Sequence, residues 1–245
     1  MATLKDVMDS AARECSITPA SDWVSTTSER YIELKGHMYK TARELIERID
    51  WPSPLGAVAT ITGPGTVTSN YSTHSLPAAF SRLQRDDFAV YETTNTRRRC
   101  VPVSLAGEWT HLDEVGSAGA YRYYRTAGDE EAGFTIDFFR ALSASEEVKV
   151  HYVSKNWILT SGSGTSTWTN AADTILLPRE LVELGVIWRF RRRSGLAYLD
   201  VYGEYEQRLS RLANDAKVRR SINFGGDNEP AHPMRVPVPD FIPSS

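Results

Sequence analysis

Apolar residues return at three- and four-residue steps at the start of the chain: Leu4, Val7, Met8, Ala11, Ala12 and Cys15. That period predicts a short amphipathic helix, with Pro19 beyond its end. The run TTSE at 26–29 predicts the start of a second helix, Thr26 acting as cap and Glu29 completing a capping box. Its buried stripe would be Tyr31, Leu34, Met38, Ala42, Leu45 and Ile49, and Pro52 and Pro54 stop it just after Trp51.

From about 57 to 170 the pattern changes to short apolar runs broken by polar or glycine-containing loops. AVATI, the turn GPG at 63–65 and VTSNY read as strand, turn and strand. Further strands are predicted over 87–92, 100–104, 120–126, 134–139 and 147–153, with one short helix over 104–115. SGSGTSTWTN at 161–170 has the composition of a flexible loop, either a plain linker or an interaction loop. The ten residues VHYVSKNWIL (150–159) break the rule of the region, because Ser154, Lys155 and Asn156 stand directly before a tryptophan.

Helical spacing returns at Pro178, a residue suited to a first helical turn. Leu181, Leu184, Ile187 or Trp188, and Phe190 would face a core, and Gly195 would end the helix. A last helix is predicted over 196–220, with Leu199, Tyr202, Tyr205, Leu209, Leu212 and Ala216 at near-heptad spacing. A lone helix pair makes a poor core. The expected fold is therefore α+β: a four-helix bundle from 1–51 and 175–220, an inserted antiparallel β-rich domain over 52–174, and an extended C-terminal arm over 221–245. The arm is proline-rich yet carries Val236, Val238, Phe241 and Ile242, so it either folds back on its own domain or docks on a neighbouring chain.

Composition narrows the function classes. A chain of 245 residues with 41% hydrophobic content can bury a real core, and its net charge of -3 and pI near 6.0 carry no nucleic-acid or membrane signal. Two cysteines, Cys15 and Cys100, make neither a disulfide framework nor a metal-ligand spacing, which fits synthesis in a reducing compartment. The charged start MATLKDVMDSAARE lacks the apolar run of a signal peptide, and no stretch approaches the length of a membrane span. The expectation is a soluble protein that does not leave by the ordinary export route.

Catalytic, metal-binding and cofactor-binding residues are expected to be absent, since HExxH, GxSxG, Walker and dinucleotide patterns are missing. His37, His74, His111, His151 and His232 are scattered singly. Asp86-Asp87 and Glu130-Glu131 are adjacent carboxylates, and neighbours on a strand point to opposite faces. Two basic runs stand out, Arg97-Arg98-Arg99 and RFRRR at 189–193. They serve as helix-end cations on a solvated face or as arginines pairing across a subunit interface.

Four segments, taken in order, resemble the head-to-tail adaptors (connectors, or head-completion proteins) of tailed bacteriophages, a group that includes tail tubular protein A of short-tailed phages. They are RELIERIDW (43–51), SLPAAFSRL (75–83), EVKVHYVSKNWI (147–158) and LLPRELVELGVIWRFRRRSGLAYLDVYGEYEQRL (176–209). The likeness spans roughly 3 to 217, and Ala79 stands where the family pattern has an acidic residue. The resemblance implies a non-enzymatic virion protein, made in the host cytoplasm and placed at the head-tail junction. Its partners would be the portal protein, a tail or nozzle protein and further copies of itself in a ring of twelve. Viral DNA would pass through the lumen without sequence-specific binding, and no membrane would be involved. The arm over 221–245 lies beyond that span, and its composition, with the analogy to such adaptors, makes Phe224, Arg235, Val236, Val238, Phe241 and Ile242 the expected portal contacts. The two basic runs and the polar triplet supply the candidate subunit-interface residues, Arg97, Arg98, Arg99, Lys155, Arg191, Arg192 and Arg193, with Lys155 expected to be exposed either as a loop anchor or as a direct contact. The alternatives are a virion-associated cell-wall hydrolase and a tail-tube or tail-terminator ring protein.

Overall fold

The structure, a computed structural model, describes residues 2–68, 70–86, 88–94, 98–116 and 121–218. Helix α1 (Leu4–Glu14) opens on a reciprocal cap: Thr3 Oγ1 accepts the Asp6 amide at 3.1 Å, and the Asp6 carboxylate accepts the Thr3 amide at 3.3 Å. The apolar stripe named from the spacing is the face it buries. Helix α2 (Glu29–Arg48) starts later than the TTSE pattern predicts, with Ser28 at the cap position and no side-chain cap bond. The preceding loop is organised differently. Trp23 is buried and donates from Nε1 to Asp9 at 2.6 Å, while Asp22 accepts the Val24 amide and the Ser25 hydroxyl.

The middle of the chain forms β1 (Gly56–Thr62), β2 (Thr66–Thr68), β3 (Tyr71–Ser75), β4 (Phe80–Leu83), β5 (Val90–Glu92) and β6 (Val101–Pro102), then α3 (Ala106–Val115). Next come β7 (Tyr123–Asp129), β8 (Gly133–Phe139) and β9 (Glu147–Ser154). One sheet has the order β1-β9-β4 with β5 also pairing β9, and a second runs β2-β3-β8-β7-β6, antiparallel except for β6 with β7. Their inner faces share a core that includes Ile61, Phe80, Val90, Ile136, Phe138, Val148, Val150 and Tyr152. Helix α3 covers part of the outer face of the second sheet through Trp109, whose ring meets Tyr71, Phe139 and the Arg125 guanidinium.

Strands β10 (Ile158–Thr160), β11 (Ser163–Thr165) and β12 (Thr174–Ile175) make a small third sheet, followed by α4 (Arg179–Arg193) and α5 (Leu199–Val218). Residues 161–170, expected to be a flexible loop, instead close the β10–β11 hairpin and bury Trp168.

The helices do not make a four-helix bundle. A bundle ranks its helices as equals around one axis, whereas α4 sits in the middle and packs on α1, α2 and α5. The remaining side of the core is closed by the third sheet: Thr3 bridges Thr174, the Leu4 amide donates to the Asp173 carbonyl at 2.8 Å, and Trp157, Ile158, Trp168 and Ile175 join the helical cluster. The architecture is α+β, with helices at both ends of the described chain and antiparallel and mixed sheets filling the middle. Periodicity reports which face of a helix is buried but not whether a helix or a strand buries it.

The close approach of α2 and α4 depends on Gly185, where a Cβ would lie 2.2 Å from Thr41 Cγ2. Gly185→Ala gains about 1 kcal/mol in helix propensity, but an overpacked core costs about 1–3 kcal/mol. Thr41 is fully buried and cannot move aside without losing its bond to Arg189. Chemical denaturation is expected to report a net loss of stability, and a gain would show that the interface has slack.

Candidate functional site

The helical core and the β-rich core meet at the C-terminal end of α2. The last carbonyls of a helix lack partners within it, and here a guanidinium from β4 takes them. Arg82 donates to the Ile46 carbonyl from Nε at 3.2 Å and Nη2 at 3.0 Å, and to the Ile49 carbonyl from Nη2 at 2.8 Å. Its Nη1 reaches the Asp50 carboxylate at 2.5 Å. Asp50 also accepts the Arg85 amide, and the Arg85 guanidinium donates to the Glu47 carbonyl. Trp51 Nε1 closes the end by donating to the Leu45 carbonyl at 3.0 Å. The cations also sit at the negative end of the helix dipole.

Strand β9 makes the second crossing. Val148, Val150 and Tyr152 belong to the β-rich core, whereas Val153, Trp157 and Ile158 belong to the helical one. Between them the Ser154 amide donates to the Leu55 carbonyl and the Lys155 amide to the Ala79 carbonyl, each at 2.8 Å. Ser154 Oγ accepts the Asn156 amide, and Asn156 Nδ2 donates to the Gly164 carbonyl, which fixes the turn. Trp157 then enters the helical core edge-on to Tyr39, with ring centroids 5.8 Å apart. The polar triplet in the sequence is thus the turn that hands the chain from one core to the other. Ala79 contributes only its carbonyl, so the missing acidic side chain leaves this contact intact. Lys155 is half-buried rather than exposed, and lines a cleft of about 250 Å³ with Tyr39, Arg43, Ser81, Glu130 and Trp157.

The second basic run divides by role. Arg189 turns inward, donating to Thr41 Oγ1 at 2.9 Å, to the Gly185 carbonyl at 3.0 Å and to Glu44, with its guanidinium 4.2 Å from the centre of the Trp188 ring. Arg191 is half-buried and lies 3.9 Å from Asp200. Arg193 is exposed and lies 3.6 Å from Glu33, and Arg192 is exposed beside it. Past the end of α4, Leu196 is 54% exposed and Leu199 71% exposed. Leu199 and Tyr202 were expected on the buried stripe of α5, but that helix is covered chiefly by α4; Tyr202 meets the Trp188 ring from one side only, and among the described residues nothing lies over Leu199 at the corner joining the two helices. Burial begins with Tyr205 and Leu209.

The predicted interface residues do not gather into one surface. Arg191, Arg192 and Arg193 are on the last turn of α4, Lys155 is at the joint, and Arg98 and Arg99 lie between β5 and β6 in the β-rich part. There the Arg98 carbonyl accepts the Glu92 amide, and Arg99 forms a bridge with Tyr91. Arg97 and the arm residues Phe224, Arg235, Val236, Val238, Phe241 and Ile242 lie outside the described residues.

The polar groups weighed for chemistry have local roles. His74 Nε2 is 3.0 Å from Ser72 Oγ, and that hydroxyl also accepts the Leu142 amide, so both side chains are committed inside the β-rich core. Asp137 is bonded to Thr73 and Arg125 instead. His151 stacks on Tyr91, and burial lowers the pKa of His37, His74 and His151 below the usual histidine range. Glu130 and Glu131 sit in the β7–β8 turn rather than on a strand, and Asp86 lies in the bend before β5. Burial pushes the Cys15 thiol up to about 11 and the Cys100 thiol up to about 12, so both stay protonated at neutral pH. Among the described residues no cluster of three His, Cys, Asp or Glu has metal-ligating geometry, and no helix is long and apolar enough to cross a membrane.

A buried ion-pair cluster went unseen in the sequence. Arg122 is almost wholly enclosed, with Nε 2.6 Å from Glu92, Nη2 3.0 Å from Glu146 and Nη1 on the Arg140 carbonyl. It ties the approach to β7 to the end of β5 and to the loop between β8 and β9. No family model matches the chain, and no curated protein matches it.

Proposed function

We propose that this chain is a structural virion protein: a head-to-tail adaptor that assembles as a ring between the portal vertex and the tail of a tailed bacteriophage. The observation that carries the reading is the joint. Three of the segments that resemble the adaptor family are far apart in sequence, yet they touch at one place: Asp50 of RELIERIDW with Arg82 of SLPAAFSRL, and Ala79 of that same segment with Lys155 of YVSKNW. The likeness is thus concentrated where the chain passes between its two cores. The α4–α5 corner adds a surface where exposed arginines adjoin exposed leucines, a mixture suited to protein contacts.

In this reading Arg191, Arg192 and Arg193 lie at the contact between subunits, the arm over 221–245 engages the portal, a tail or nozzle protein docks on the finished ring, and DNA passes through the lumen without base-specific contacts. The test is the stoichiometry of the protein bound to its portal, read by mass photometry. Twelve copies per portal assembly are expected. Another count, or no binding, overturns the reading.

A further inference from the structure

Strand β1 lies at the rim of the first sheet and, among the described residues, pairs only with β9. Along such a strand the backbone groups point alternately toward the partner and away from it. The Ser154 amide meets the Leu55 carbonyl and the Gly63 amide meets the Glu146 carbonyl, so the odd-numbered positions face β9. The N–H and C=O groups of Val58, Thr60 and Thr62 therefore face outward, and no strand or side chain among the described residues meets them. Exposed edges are normally blunted by charge, proline or a bulge. This one has none of them: GAVATIT is uncharged, and its register with β9 runs unbroken from Gly56 to Thr62. Ala57 and Ala59, which pack on the β-rich core, are only half-buried, so that core is open along the same rim.

The end of the chain has the complementary pattern. In PMRVPVPDFIP (233–243) every proline falls on an odd position, Pro233, Pro237, Pro239 and Pro243, whereas Met234, Val236, Val238, Asp240 and Ile242 all keep their N–H. Extended, such a segment has one edge able to donate and one that proline blocks, the form a strand takes where a sheet ends. We infer that this segment, which lies outside the described residues, adds to β1 of its own chain as the last strand of the first sheet. The place where the described chain stops favours its own copy over a neighbour's. The last turns of α5 (Leu212, Asp215 and Ala216) share a cleft of about 320 Å³ with Trp51 and Pro52, and the Pro52 carbonyl accepts the Gly56 amide at the head of β1. The fifteen residues over 219–233 span up to about 50 Å when extended, more than the length of β1. The inference goes beyond the adaptor reading and does not need it. Within that reading the portal takes the arm over from β1, and until then the arm keeps the bare edge from pairing with other chains.

The experiment reads backbone amide exchange by NMR on the full-length chain and on a full-length variant, Val236→Pro with Val238→Pro, which takes two donors from the pairing edge of the arm. Val58, Thr60 and Thr62 are expected to exchange at least about tenfold more slowly in the parent than in the variant. Ala57, Ala59 and Ile61 face β9 and should stay protected in both chains, which checks that the fold is intact. Equal exchange at Val58, Thr60 and Thr62 in the two chains overturns the inference. So does protection that strengthens as the protein concentration rises, because the strand would then come from a second copy. Neither result touches the adaptor reading, which the count on the portal decides separately.

Discussion

Trp157→Ala is expected to lower the free energy of unfolding by about 3–5 kcal/mol, the cost of deleting a large aromatic from a packed core. The indole is 3% exposed and packs against Tyr39, on a strand connection that carries the chain from one core to the other. The neighbourhood cannot collapse readily onto the gap, because the turn before Trp157 is pinned by the Ser154, Lys155 and Asn156 hydrogen bonds. Lys155→Ala should cost less than about 1 kcal/mol, since partly solvated lysines contribute little. Urea melts of the two variants check both halves. Equal losses at the two positions would refute the description of the joint, and so would a Trp157→Ala chain as stable as the parent.

Arg122→Met is expected to cost a similar amount, about 3–5 kcal/mol, because it removes one partner of a buried pair and leaves the other charge enclosed. The methionine keeps much of the volume, so the loss measures electrostatics rather than a cavity. The cluster also sets a pH dependence. Burial pushes the Glu146 carboxyl up, but the Ser143 amide and the Arg122 guanidinium outweigh it and hold the pKa below the usual glutamate value. A carboxyl depressed in the folded state adds stability that is fully present above its unfolded pKa and is lost as pH falls through the folded one. Urea midpoints should therefore fall between neutral and acid pH in the parent, and fall less steeply in Arg122→Met. Parallel slopes would show that Glu146 is not coupled to Arg122.

The helices were legible because they depend on local spacing. Leu4, Val7, Met8, Ala11 and Ala12 all lie on the buried face that their period predicts, and Leu34, Met38, Ala42 and Leu45 do the same on α2. What those faces meet was not legible. Trp168 sits in a stretch whose serines and glycines resemble a linker, and only the β10–β11 pairing shows that the stretch closes a hairpin over the helical core. Leu199 and Tyr202 have the spacing of a buried stripe, but spacing carries no information on where a neighbouring helix ends.

The joint was half visible. The sequence YVSKNW marked a change of environment, and Arg82 lay inside a segment already singled out, yet its task of taking carbonyls from α2 links residues more than thirty positions apart. A side chain bonding to backbone leaves no complementary residue type to look for at the other end. Arg122 was hidden for a related reason, as its partners Glu92 and Glu146 come from the end of β5 and from the loop between β8 and β9, and no short pattern contains the three together.

The hydrogen bond from the Ser154 amide to the Leu55 carbonyl has a consequence for how the gene could be cut. Gly56 and Val153 are register partners, so the β-rich part leaves the helical part and returns to it within the width of one strand pair, about 5 Å. A two-residue hairpin turn spans that gap. The β-rich part is therefore placed as a cassette: it can be excised, or exchanged for another unit whose ends lie equally close, without stretching the chain that builds the helical core. A lineage could in this way keep one docking body while changing what is mounted on it.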